Sequence, residues 1–244
     1  MERRSLLKTI GGIGATAAVG GAGLLASTGG ALAANSSLLI TGSSVTNDDG
    51  DLTEVIVNLD HEATWDGFDI AVDAVEYRDV IKRVDGSGNV VASHVLRDEL
   101  DTPVPLSDIA DGSWGGSDEN STGPGTEGSV SAGIQWSVLH DDPSSATYIP
   151  PGDSGSVGDV QDFGMDNEED DSTKSYTLKF TKKVQFYALD SNGSYTGIDG
   201  NTYRLMGGDD GTLAETVAEG TFTVDVTNEA ATASSSGSGS SSAS

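Results

Sequence analysis

Residues 174–190, KSYTLKFTKKVQFYALD, decide the fold class. Tyr176, Leu178, Phe180, Val184, Phe186 and Ala188 share one parity, and Thr177, Lys179, Thr181, Lys183, Gln185 and Tyr187 share the other. Successive side chains of a β-strand point to opposite faces, so the pattern predicts one buried row and one wet row. Burying the large side chains of the first row contributes on the order of 10 kcal/mol before chain entropy is subtracted. At about 3.3 Å per residue the stretch would span roughly 56 Å, beyond a usual strand. Lys182 also interrupts the apolar row, so a bend, bulge or change of sheet is expected at 181–183.

Working outward, residues 52–60 place Val55, Val57 and Leu59 on one face, and 134–138 do the same with Ile134, Trp136 and Val138. Residues 220–228 alternate with Phe222, Val224 and Val226 inward. Two β-branched runs flank the Gly-rich turn at 85–89 and predict a hairpin. Its apolar parity changes between Tyr77 and Val80, which predicts a β-bulge near Asp79. Residues 34–45 form a first strand or a free arm, and 195–211 a ragged hairpin through Tyr203, Leu205 and Met206. Long acidic Gly- and Ser-rich stretches at 103–133 and 143–173 read as surface loops, the first with one helical turn at 106–110; loops of this length draw attention as binding sites. The class is all-β: a single antiparallel β-sandwich, immunoglobulin-like or jelly-roll, over residues 34–229.

Before that domain stand Arg3 and Arg4, a Gly/Ala-rich apolar run and a small-residue cleavage site at Ala31–Leu32–Ala33. This reads as a cleavable twin-arginine signal peptide over 1–33, with export to the cell surface or beyond. After it, Ala, Ser and Gly dominate 230–244, a tail that can bury nothing and is expected to be disordered. Removing Arg3, Arg4, Lys8 and Glu2 with the signal leaves 9 basic and 38 acidic residues, a net charge of −29. Such a chain repels itself in dilute buffer, whereas in molar salt the Debye length shrinks to about 3 Å. The acidity therefore points to an extremely halophilic archaeon. It argues against nucleic acid or an anionic membrane as partner, because both need a basic footprint. Cysteine is absent, which removes disulfides and thiolate metal sites.

Several segments together are similar to a group of small exported haloarchaeal surface proteins. They are the Arg3–Arg4 start, the WDGFD segment at 65–69 before a long hairpin, Asp162–Phe163 before an acidic turn, the Lys174-x-Tyr176-Thr177 strand and FTVDVTN at 222–228. The resemblance implies a β-sandwich at the cell surface and transfers no site residues.

Candidate chemistry is sparse. Gly152-Asp153-Ser154-Gly155-Ser156 matches the string around the nucleophile of chymotrypsin-like proteases, with His61 or His94 as a base. The settings around both histidines and after the serine depart from that pattern, so a serine hydrolase using Ser154 ranks last. Trp65 offers a sugar-stacking platform, although the scarcity of aromatics favours core packing. Asp48, Asp49, Asp51, Asp85, Ser87 and Asn89 offer hard oxygens for calcium, the one cofactor the sequence suggests, against a background of solvated acidic turns. Asn35, Asn120 and Asn192 open N-glycosylation sequons.

The mature chain has few cations, and Lys174, Lys179, Lys182 and Lys183 cluster on one segment. They read either as lysines that blunt an edge strand or as a cationic stripe for an acidic partner, a second copy included. Leu38, Leu39 and Ile40 are interface candidates as a strand donated to a neighbouring subunit. The leading expectation is a non-enzymatic surface module with structural or interaction duties, without membrane insertion once the signal is gone. A calcium- or glycan-binding module is the alternative.

Overall fold

The computed structural model describes residues 33–48, 50–98, 102–111, 119–149, 155–169, 171–207 and 214–228. The signal segment at 1–32 and the Ser/Gly/Ala tail lie outside these residues. The elements in chain order are β1 (Ala33–Asp48), β2 (Asp51–Asp66), β3 (Ala74–Val84), β4 (Val90–Asp98), β5 (Val104–Pro105), α1 (Leu106–Ala110), β6 (Glu119–Ser121), β7 (Gly128–His140), β8 (Gly158–Asp159), α2 (Val160–Phe163), β9 (Ser172–Leu189), β10 (Tyr195–Thr196), β11 (Thr202–Leu205) and β12 (Glu215–Asn228).

They build an all-β sandwich of two sheets. The first runs β1-β2-β7-β6, with β8 added in parallel to β7. The second runs β10-β11-β9-β3-β4, with β12 also on β9 and β5 on β3. Inward rows interdigitate between the sheets: Val55, Val57 and Leu59 from β2, Trp136 and Val138 from β7, and Leu178 and Phe180 from β9 are at most 3% exposed. Each large side chain so buried contributes about 1.5–3 kcal/mol.

β9 is the spine. It pairs with β3 from Thr177 to Tyr187 and with β12 from Ser172 to Gln185, and neither ladder shifts register. No bulge or change of sheet occurs at 181–183: Lys182 has buried partners and the apolar row need not be diverted around it. β9 is also an interior strand, so its lysines do not guard an edge. The parity change in β3 is a bulge as expected: the β3–β4 register shifts between Asp79 and Val80.

The two acidic stretches are less loop-like than their composition implies. The first contains the expected helical turn, α1, whose Leu106 and Ile109 are buried, and β7 already begins at Gly128. The second contributes Val157, Val160, Phe163 and Met165 to the core. Its acidic end is pinned by Asn167, whose backbone N–H donates to Gly50 at 2.9 Å and whose carbonyl accepts from Asn228 Nδ2 at 2.9 Å. Trp65 and Phe68 pack on Phe186, and Trp65 is 2% exposed, so it is a core residue and offers no sugar platform. No helix among the described residues is long and apolar enough to cross a membrane.

Candidate functional site

The sandwich has a charged layer in its interior. In the second sheet Ala218, Lys182, Asp79 and Arg97 stand side by side across β12, β9, β3 and β4. In the first, Leu38, His61, Ala132 and Glu119 form the corresponding row across β1, β2, β7 and β6. All of these side chains are buried. The layer divides the core: Val184, Phe186, Ala63 and Trp65 belong to one apolar cluster, and Leu178, Phe180, Val57 and Leu59 to the other.

Asp79 is the hub. Arg97 Nε donates to its Oδ2 at 2.8 Å, and Lys182 Nζ donates to both carboxylate oxygens at 3.2 Å. Arg97 Nη1 also reaches Glu119 Oε1 in the facing sheet at 3.3 Å. Tyr77 and Trp136 wall the cations, with Arg97 at 4.3 and 5.1 Å from the ring centroids and Lys182 at 4.5 and 5.6 Å. Two cations thus face two carboxylates, a neutral set in an interior where each unpaired ion would cost several kcal/mol. Burial, and then the nearby Arg97 charge, push the Lys182 ammonium down to about 8. His61 is driven well below its ordinary value by burial first and by Lys182 and Arg97 next, so its imidazole is neutral. Its Nε2 has no hydrogen-bond partner among the described residues, and neither has Glu119 Oε2.

The sequence offered a sign of this layer in the second sheet, Lys182 on an apolar row. A matching sign in the first sheet was missed: His61 interrupts the row Val55, Val57, Leu59, Ala63 and Trp65 in the same way.

The four lysines separate by face. Lys182 is 0% exposed and is no surface contact, which corrects its reading as an interface residue. Lys179 and Lys183 lie on the outer face and pair with Glu219 and Glu215 of β12. Lys174 lies 5.2 Å from the Tyr176 ring centroid. Leu38 and Ile40 are 1% exposed in their own core, whereas Leu39 between them is 40% exposed.

The serine string is placed only in part. Ser154 lies outside the described residues. Ser156 Oγ is 2.9 Å from His94 Nε2 and donates to the Val95 carbonyl at 2.9 Å. The Val95 carbonyl accepts from this serine, and with the ring proton on Nε2 the contact runs opposite to nucleophile activation. His61 sits in the charged layer, on a strand of the opposite sheet.

Among the candidate calcium ligands, Asp85 is occupied by its own turn. Its Oδ1 accepts the Ser87 and Asn89 N–H groups at 2.9 and 2.8 Å, and its Oδ2 accepts Asn89 Nδ2 at 3.0 Å. Asp51 is exposed at the start of β2, Asp48 ends β1, and Asn47-Asp48 pair with Leu52 and Asp51 across the turn. Asp49 lies outside the described residues. Among the described residues no three His, Asp or Glu side chains gather as a metal site. Of the sequon asparagines, Asn120 and Asn192 are exposed and Asn35 is half-buried in β1.

No protein-family model, curated protein or solved structure matches this chain.

Proposed function

We propose that the protein is an exported surface module of a halophile that builds assemblies by joining sheets between copies. The observation that carries this reading is the outer edge of β1. β1 is 16 residues long and ends its sheet, so its second edge is unpaired among the described residues. Residues 33–47 hold no charge and no proline, in a mature chain of net charge −29. Natural sheets guard long edges with lysine, proline or bulges. Here the sole irregularity within the central part of the ladder is the register shift between Ile40 and Gly42. The stretch before it presents Ser37 and Leu39 outward and anchors Leu38 and Ile40 inward.

The partner is the open edge of a second copy, because main-chain hydrogen bonds give such a joint its affinity without opposing the acidic surface. In this arrangement β1 remains paired to its own β2 and extends the sheet outward, in place of a strand given up to a neighbour. Molar salt screens the repulsion between the acidic faces.

Electron microscopy of the mature protein in molar salt is expected to show linear assemblies. Leu39→Lys combined with Ser37→Lys should dissolve them while circular dichroism stays unchanged. A wild-type protein that remains a monomer at every concentration by light scattering would overturn the reading.

A further inference from the structure

The charged layer holds a nucleophile and an electrophile in contact. We propose that Lys182 and Asp79 condense to an intramolecular amide between β9 and β3, with Arg97 polarising the carboxyl group and Glu119 carrying the proton.

The geometry brings the nucleophile, the electrophile and the polarising cation into contact, and the Glu119 charge already acts on Lys182. Lys182 and Asp79 are direct neighbours in the ladder and both are fully buried. Nζ lies 3.2 Å from both carboxylate oxygens, so the carbon between them is at a comparable separation, in the range of near-attack arrangements. The rings of Tyr77 and Trp136 limit the excursions of Nζ. Arg97 Nε already donates to Asp79 Oδ2, the oxygen on which negative charge develops when nitrogen adds to the carbon. Glu119 is buried, is held through Oε1 by Arg97, and keeps Oε2 without a partner among the described residues. Burial also favours the free amine that attack requires, since it lowers the Lys182 ammonium to about 8.

The atoms balance without a co-reactant. The ammonium passes one proton to Oδ1, giving an amine and a carboxylic acid. The amine lone pair forms the Nζ–Cγ bond, and the carbonyl electron pair moves to Oδ2 under Arg97. Glu119 takes a second proton from nitrogen and delivers it to the hydroxyl at Oδ1. The Cγ–Oδ1 bond then breaks, water leaves, and the carbonyl re-forms at Oδ2. One positive and one negative charge disappear together, and Arg97 with Glu119 remains as a matched pair. Removing an ion pair from a dry interior favours the product. The bond would join residues 103 apart in sequence and close the two strands covalently.

Intact-mass spectrometry of the full chain folded in molar salt, with its N terminus read from the same sample, tests this. The expected mass is one water below that of the sequence, and digestion should yield a branched peptide joining the segments around Asp79 and Lys182. Asp79→Ala should carry its full sequence mass. Glu119→Gln should slow the water loss during refolding by about a hundredfold, a role that packing alone would not give. Full mass in the folded wild-type protein, or a water loss that maps to another residue pair, overturns the proposal. The wild-type measurement does not depend on whether any variant folds.

Discussion

Arg97 on β4 pairs with Glu119 on β6 at 3.3 Å, and because these strands belong to different sheets the contact ties the sandwich across its core. Its two ends are buried, so neither charge has water to fall back on. Arg97→Met leaves Glu119 without its ion-pair partner. Loss of one partner from a buried ionic set costs about 3–5 kcal/mol, whereas Lys179→Ala, which breaks the partly exposed pair with Glu219, should cost no more than about 1 kcal/mol. Denaturant unfolding in molar salt compares the two.

His61 makes stability depend on pH. Its folded-state value lies well below the ordinary 6.5, because burial and the Lys182 and Arg97 charges oppose a third cation, while Asp79 and Glu119 are already engaged. The unfolded chain then binds the proton first, so the stabilisation is present above about pH 6.5 and is lost as pH falls towards the folded value. The slope approaches about 1.4 kcal/mol per pH unit where only the unfolded imidazole is protonated. Thermal melts between pH 7 and 5 should show this dependence, and His61→Leu should reduce it, leaving the part due to His94, whose value burial also lowers.

Gly50 closes the β1–β2 turn at φ 87°, and a Cβ there would lie 2.2 Å from the Asn167 carbonyl oxygen. The obstacle is backbone, which is itself fixed by the Asn167 N–H bond to Gly50 and by Asn228. Gly50→Ala should therefore destabilise by about 1–3 kcal/mol. Faster hydrogen exchange at 166–169 and 226–228 would locate the damage.

Desalting should unfold the protein. The formal net charge of −27 is unscreened in dilute buffer, and the self-repulsion opposes compactness. Circular dichroism on stepwise removal of salt should show a cooperative loss of the β signal; an unchanged melting temperature would contradict the expectation.

The strands were legible wherever one face is uniformly apolar, as at Val55 to Leu59 and Phe222 to Val226, because period-two alternation is a local property. The bulge at Asp79 was legible for the same reason. The neighbours of β9 were not. That Lys182 lies beside Asp79 follows from strand order, and the two are 103 residues apart. A lysine on an apolar row then reads as an interruption until its counter-ion is known. Glu119 escaped notice because its surroundings have the composition of a loop, yet three residues there pair with β7 and turn its carboxylate inward. The polar residues His61, Asp79 and Lys182 each break an inward row, and only together do they describe a layer.

The two described chain ends leave the sandwich at opposite poles. Ala34 packs with Trp65 in one apolar cluster, and Asn228 bonds to Asn167 beside the Gly50 turn at the far end of the β1–β2 hairpin. Tension applied between them runs along the strands, so β1 is sheared against β2 and β12 against β9, each over more than a dozen paired residues. Hydrogen bonds loaded in shear must fail together, while those at a peeled edge fail one at a time. A pull between these two ends thus meets the fold in its strongest direction.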